Sequence, residues 1–214
     1  MNYQNKKAGY YENVRHEMVA LCPSNINTLL DVGCSEGNFA AHIKHAKGIE
    51  VWGIEMMEEH GEKAKNKLDK VLIGNCESQI DELPDNYFDV IYFNDVLEHL
   101  VNPGVVLNQI KQKLSRNGVL ISSIPNMRYH KVLKDLIVRK DFQYTNDGVM
   151  DQTHLRWFTN KSIQRMYQDN GYEILSHHGI NKTKSIKPYL YNIPLFFSAM
   201  DIFYVQFATV VKPA

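Results

Sequence analysis

The run from Thr28 to Asn38, TLLDVGCSEGN, constrains the fold of this chain more than any other stretch. An apolar segment ends in Asp31, and Gly33 and Gly37 then bracket a short polar turn. Phe39, Ala40 and Ile43 resume at helical spacing. That pattern predicts a strand, a glycine turn and a helix N-terminus, the geometry that brings backbone close to a nucleotide-like ligand. A Cβ at either glycine would block the approach or forbid a positive φ. A dinucleotide turn requires glycines at its first, third and sixth positions, but Ser35 and Asn38 occupy the third and sixth. No Gly-Lys-Ser/Thr follows, which argues against a phosphate-binding P-loop. Glu36 would repel a phosphate, so the turn suits a ligand that carries positive charge and no phosphate.

The remaining chain repeats the alternation. Glu50–Glu55 reads as a second strand ending in an acid, where Glu55 can accept hydrogen bonds from both ribose hydroxyls of an adenosine. Met56–Leu68 predicts an amphipathic helix and Val71–Ile73 a third strand. Phe88–Asn94 is nearly continuously apolar, as central parallel strands are. Asn102 and Pro103 open a further helix, as cap and first-turn residue. Arg116–Asn117–Gly118 predicts a turn and Val119–Ile124 a fifth strand; Thr159 caps another helix, and Tyr172–Ile180 and Tyr204–Lys212 predict the last two strands. Ahead of all these, residues 1–9 are polar and expected to fray. Tyr10, Tyr11, Val14, Met18, Val19 and Leu21 recur at roughly helical spacing up to Pro23. Strands alternating with helices imply a parallel sheet with right-handed crossovers.

The turn around Asp31, Gly33 and Gly37 resembles the first motif of class I S-adenosylmethionine-dependent methyltransferases, with Ser35 in place of the middle glycine. Three later runs are similar to the same family: Gly74–Asn75–Cys76–Glu77, Leu97–Glu98–His99, and Gly118 through Pro125–Asn126. Type 11/12-like members, among them quinone-biosynthesis and cell-envelope polysaccharide O-methyltransferases, are the nearest in pattern. Asp151–Thr159 resembles a segment of the polysaccharide and small-molecule hydroxyl methylators. The resemblance implies a Rossmann-like α/β fold, a seven-stranded sheet mostly parallel with an antiparallel last strand, as a single domain over 1–214 with cap or lid segments near 127–159 and 182–203. It implies S-adenosylmethionine as cofactor, bound by Arg15, Asp31, Gly33, Cys34, Ser35, Gly37, Glu55, Asn75, Cys76 and Asn94. Arg15 would reach the cofactor carboxylate, and Asn75, where the family carries aspartate, would accept from the adenine amino group.

Methyl transfer to oxygen requires loss of the acceptor's proton, for which histidine is suited. His99 and His154 are the candidate catalytic residues, with His154 the favoured base. A metal-free route is expected. The alternative places a divalent ion on Asp95, Glu98 and His99, which project together if that piece is helical. The expected acceptor is a small-molecule or sugar hydroxyl. A quinone-type or protein methyltransferase with the same cofactor, and a cofactor-binding module without catalysis, are the alternatives. Lys plus Arg and Asp plus Glu balance at 24 each, which gives no chain-level case for nucleic acid. Three cysteines without paired or metal-type spacing and no recognisable signal peptide or membrane-spanning run lead to a cytoplasmic expectation. The aromatic segment 182–203 reads as a lid or as an interface in a homodimer.

Overall fold

The computed structural model describes residues 14–214. The predicted first helix is reduced to α1 (His16–Val19) within them; Tyr10 and Tyr11, and the expected fraying of residues 1–9, lie outside the described residues. Then follow β1 (Thr28–Val32), α2 (Asn38–Lys47), β2 (Glu50–Glu55), α3 (Glu58–Lys65), β3 (Lys70–Ile73) and α4 (Cys76–Gln79). The second half comprises β4 (Phe88–Asn94), α5 (Pro103–Lys111), β5 (Leu114–Pro125), α6 (His130–Lys134), α7 (Asn160–Asp169), β6 (Tyr172–Lys182), α8 (Lys187–Asn192) and β7 (Tyr204–Pro213).

The seven strands form one sheet in the order β3-β2-β1-β4-β5-β7-β6. Six run parallel, and β7 is antiparallel to both β5 and β6. This is the Rossmann-like sheet with an antiparallel last strand. Chain order reverses between β1 and β4, and in open α/β sheets the ligand crevice opens beyond the strand ends at such a point.

Period-two alternation sends each strand's side chains to two cores. Leu30, Val32, Ile91, Phe93 and Leu120 meet Val106, Leu107 and Ile110 of α5 with Ile163 and Tyr167 of α7. Leu29, Val51, Val90, Tyr92 and Ile121 meet Phe39, Ala40 and Ile43 of α2 on the other face. Asn102 caps α5 by accepting from Val105 N–H, and Thr159 with Ser162 forms a capping box at α7. Each such cap stabilises its helix by about 1 kcal/mol. Gly48 closes α2 at φ +66°, which explains the sharp stop there.

One local expectation changes, and the two cap segments carry helices of their own. The predicted turn at 116–118 lies inside β5, where the register to β4 jumps from Phe88↔Leu114 to Val90↔Val119; the turn residues bulge rather than end the strand. The segment 127–159 is not simply a loop, because α6 continues into a π-helical turn over Asp135–Arg139. The segment 182–203 contains α8 and two 3₁₀ turns. Among the described residues no helix is long and apolar enough to cross a membrane.

Candidate active site

A cavity of about 1030 Å³ opens at the β1/β4 switch point. Its wall includes the glycine turn, the end of β2, the Gly74–Glu77 turn and the end of β4. Arg15, Asp31, Gly33, Cys34, Ser35, Glu55, Asn75, Cys76, Asn94 and His99 all line it.

The turn is built so that backbone forms the cavity floor. Gly33 sits at φ +75°, and a Cβ there would lie 2.6 Å from Val96 Cγ2. Its N–H and that of Cys34 donate to Ile54 O, tying the turn to β2. Ser35, in place of the family's middle glycine, keeps the left-handed backbone at φ +50°. Such a conformation costs a non-glycine residue about 1–2 kcal/mol. Ser35 N–H donates to Glu55 Oε2 at 2.8 Å, and its Oγ lies 3.2 Å from His60 Nδ1. Gly37, at φ +77°, does not line the cavity; its bare Cα faces Leu68 and Ala64, and its role is packing.

Glu55 is held from both sides, Oε2 by Ser35 N–H and Oε1 by Met57 N–H, each at 2.8 Å. Each oxygen retains a second lone pair for a ribose hydroxyl. Asp31 is buried, and its Oδ1 has no hydrogen-bond partner among the described residues. Burial, reinforced by the Glu55 carboxylate, pushes the Asp31 carboxyl from its ordinary 3.8 up to about 8. A cationic ligand would supply the missing counter-charge. Asn94 Oδ1 is likewise buried without a partner among the described residues. Burial pushes the Cys76 thiol up to about 12 and raises that of Cys34 too, so neither is a nucleophile.

Two of the expected cofactor residues carry protein contacts as well. The Asn75 side-chain oxygen accepts Glu77 N–H as the cap of α4, which fixes that amide on the cavity wall. Arg15 lines the cavity but already binds Asp95 Oδ2 at 2.8 Å, Ser123 Oγ at 2.7 Å and Gln206 Oε1 at 2.8 Å.

That network also corrects the proposed Asp95–Glu98–His99 face. Asp95 has φ +56°, and the helical piece after it is a single 3₁₀ turn, Leu97–His99. An i, i+3, i+4 face therefore never forms, and Asp95 turns to Arg15, Ser123 and Gln206. Glu98 instead joins His99 and His154, with one donor atom from each residue lying within 4.8 Å of the others. The Glu98 backbone carbonyl accepts from Leu155 and Arg156 N–H, which clamps the Leu-Glu-His run to the Asp151–Thr159 run. Asp151 accepts from Thr153 N–H and Oγ1, fixing the turn whose carbonyl faces His99.

His99 Nδ1 lies 3.0 Å from Thr153 O, and His154 Nδ1 lies 3.1 Å from Val149 O. A carbonyl only accepts, so both Nδ1 atoms carry the proton and Nε2 is the acceptor of each neutral ring. The rings meet edge to face at 4.7 Å, and His154 Nε2 is 3.9 Å from Glu98 Oε1. Of the two, His99 reaches the large cavity. His154 is buried behind it, beside a smaller space of about 40 Å³. Donor atoms on one divalent ion stand about 3–4 Å apart, so modest inward shifts would let these three residues hold one.

Sequence reasoning missed Ser123 and Gln206. Gln206 reaches the site only because β7 inserts beside β5, and nothing local in the sequence signals that pairing. None of residues 182–203 lines the large cavity, and from 127–159 only Gly148 and Leu155 do. The two segments flank the cavity.

A seven-stranded sheet of this order with a nucleoside-sized cavity beyond β1, β2 and β4 defines a Rossmann-like methyltransferase, the class whose methyl donor is S-adenosylmethionine. The family model described as "Methyltransferase domain" matches residues 3–177, and the chain belongs to that family. It is 29% identical over 157 residues to a ubiquinone biosynthesis O-methyltransferase of Rickettsia canadensis. That match covers 71% of this chain and 65% of the relative. The Rickettsia akari enzyme of the same name is 28% identical, with 71% of this chain and 61% of the relative covered. The chain thus spans less than two thirds of the length of either relative. Among solved structures, a SAM-dependent methyltransferase from Archaeoglobus fulgidus superposes with TM-score 0.64 at 17% identity, covering 92% of this chain and 91% of that one. An S-adenosylmethionine-dependent methyltransferase from Mesorhizobium loti gives TM-score 0.64 at 15% identity, covering 92% and 96%. Asp31 Oδ1, without a hydrogen-bond partner among the described residues, and the two-sided hold on Glu55 fit that cofactor.

Proposed function

We propose that this protein transfers the methyl group of S-adenosylmethionine to a hydroxyl of a small molecule or sugar, with His99 as the general base. The supporting observation is the histidine on the wall of the cofactor-sized cavity, its tautomer set by Thr153 O and its ring braced by His154. The acceptor oxygen would attack the methyl carbon as the carbon–sulfur bond breaks, and the hydroxyl proton would pass to His99 Nε2. The leaving group is neutral S-adenosylhomocysteine, so the protein's tasks are alignment, exclusion of water and removal of one proton. Asp31 and Glu55 would hold the cofactor, and His154 with Glu98 would position His99. The Rickettsia relatives' names support a hydroxyl acceptor. Variants His99→Gln and His154→Gln test the assignment. Loss of turnover about 10²–10⁴-fold in the first, with cofactor affinity unchanged, supports it; full activity in His99→Gln removes His99 as base.

A second reading rests on the convergence of Glu98, His99 and His154. In it these residues hold a divalent ion, which would acidify the acceptor hydroxyl. Activity abolished by chelator and restored by Mg²⁺ or Zn²⁺ selects this reading; full activity in excess chelator selects the first.

A further inference from the structure

The two segments beside the cavity form one outward face. Leu133 packs on Ala199, Ile202 and Phe203, the Arg128 guanidinium pairs with Asp201 at 2.6 Å, and the rings of His130 and Tyr191 lie 6.4 Å apart. The side turned to solvent is unusually apolar. Ile137, Val138, Ile193, Leu195, Phe196 and Phe197 are 68%, 70%, 58%, 48%, 91% and 52% exposed. Phe196 and Phe197 follow one another at φ +49° and +58°, a backbone that bulky residues rarely adopt. Together they turn two aromatic rings to solvent.

Charge separates this face from the rest of the molecule. Residues 127–140 and 182–203 contain eight Lys or Arg against two Asp, in a chain that balances 24 against 24. Asp201 and Asp135 are paired internally, with Arg128 and Arg139. Burial, and then Lys131 and Lys134 of one segment with Lys187 of the other, hold the His130 pKa below its ordinary value. Cations of the two segments therefore meet at His130.

We propose that this face docks on an anionic phospholipid bilayer, with Phe196, Phe197 and the Ile137–Val138 pair entering the headgroup–acyl boundary and the lysines engaging lipid phosphates. Aliphatic and aromatic side chains rimmed by lysine are the composition of an interfacial anchor, and lysine stems bury while their ammonium groups reach the headgroups. A second copy of the chain would bring two strongly basic faces together, which charge disfavours. A nucleic acid would leave the exposed aliphatic residues in water. The docked face adjoins the cavity mouth, since Asn181, Val205 and Gln206 line the cavity and directly flank the 182–203 segment. The inference stands apart from the proposed reaction, because binding to a bilayer requires no turnover.

Co-sedimentation of the full chain with large unilamellar vesicles tests it. Phosphatidylcholine vesicles are compared with phosphatidylcholine–phosphatidylglycerol vesicles, at low and high salt. Binding at least about tenfold stronger on the anionic vesicles, weakened by salt, is expected. Each lysine near the surface contributes about fivefold, so Lys184→Glu with Lys187→Glu should lower the partition coefficient by about 25-fold or more. Phe196→Ser with Phe197→Ser should also release the protein while leaving its melting temperature unchanged, since both rings face solvent. Absent binding, equal binding to both vesicle types, or variants that bind like the parent would overturn the proposal. So would a stable dimer in sedimentation velocity that the Phe196→Ser, Phe197→Ser variant dissolves, because a second copy would then cover the face.

Discussion

Replacing Asp31 with asparagine isolates the cost of burying a carboxyl at the cavity floor. With its pKa raised from 3.8 to about 8, Asp31 is protonated in the folded, cofactor-free protein across a pH range where the unfolded chain is ionised. The folded state binds more protons there, so the contribution of Asp31 to stability is greatest below pH 3.8, falls as pH rises, and levels off above about pH 8. Each unit is worth about 1.4 kcal/mol, which makes the penalty of the order of 4 kcal/mol at pH 7. Asp31→Asn has no proton to lose and should unfold at higher urea concentration than the parent at pH 7. The gap should widen from pH 5 to pH 8 and then stay constant. Cofactor binding should show the opposite face of the same linkage: a cationic ligand favours the ionised carboxylate, so parental affinity should rise with pH up to about 8, while the variant binds weakly at every pH. Urea titrations at pH 5, 7 and 9, paired with calorimetry, read both effects. A parent–variant gap independent of pH, or one that narrows toward pH 8, would refute the reasoning.

If Glu55 accepts from both ribose hydroxyls as proposed, Glu55→Ala would remove two charge-assisted hydrogen bonds, each worth about 1.5–3 kcal/mol, and should weaken S-adenosylhomocysteine binding by at least about 10²-fold in calorimetry. Gly33→Ala places a Cβ 2.6 Å from Val96 Cγ2 on a φ of +75°, and should lower stability by about 2 kcal/mol or more in urea unfolding. Thr153→Val removes the hydroxyl that donates to Asp151, loosening the turn that faces His99, and should reduce turnover while leaving cofactor affinity within about twofold, measured by steady-state kinetics and calorimetry side by side.

What the sequence discloses here is whatever depends on neighbours along the chain. The β1 run, the turn glycines, the acid closing β2 and the Asn102 and Thr159 caps are local patterns, and each appears in the structure within a residue or two. Elements of five or six residues such as α6 and α8 are too short for helical periodicity to register. Left-handed backbone at a non-glycine residue leaves no trace in composition either, so helical spacing alone groups Asp95 with Glu98 and His99. The grouping of Glu98 and His99 with His154 depends on Leu155 and Arg156 donating to Glu98 O across more than fifty residues, a tertiary bond with no local signature. Asn75 shows the converse. Its side-chain oxygen accepts a backbone N–H two residues on, a capping role that short polar side chains before helices commonly fill and that the sequence does signal.

The central claim, methyl transfer to a hydroxyl, is tested most directly by following the methyl group itself. The protein is incubated with S-adenosylmethionine carrying a ¹³C-labelled methyl and a fractionated cell extract, and the labelled product is identified by NMR. The account predicts label in a methyl ether, with release of S-adenosylhomocysteine and loss of the signal in His99→Gln. Label attached to nitrogen or carbon, or no transfer from a cofactor that binds, would contradict it.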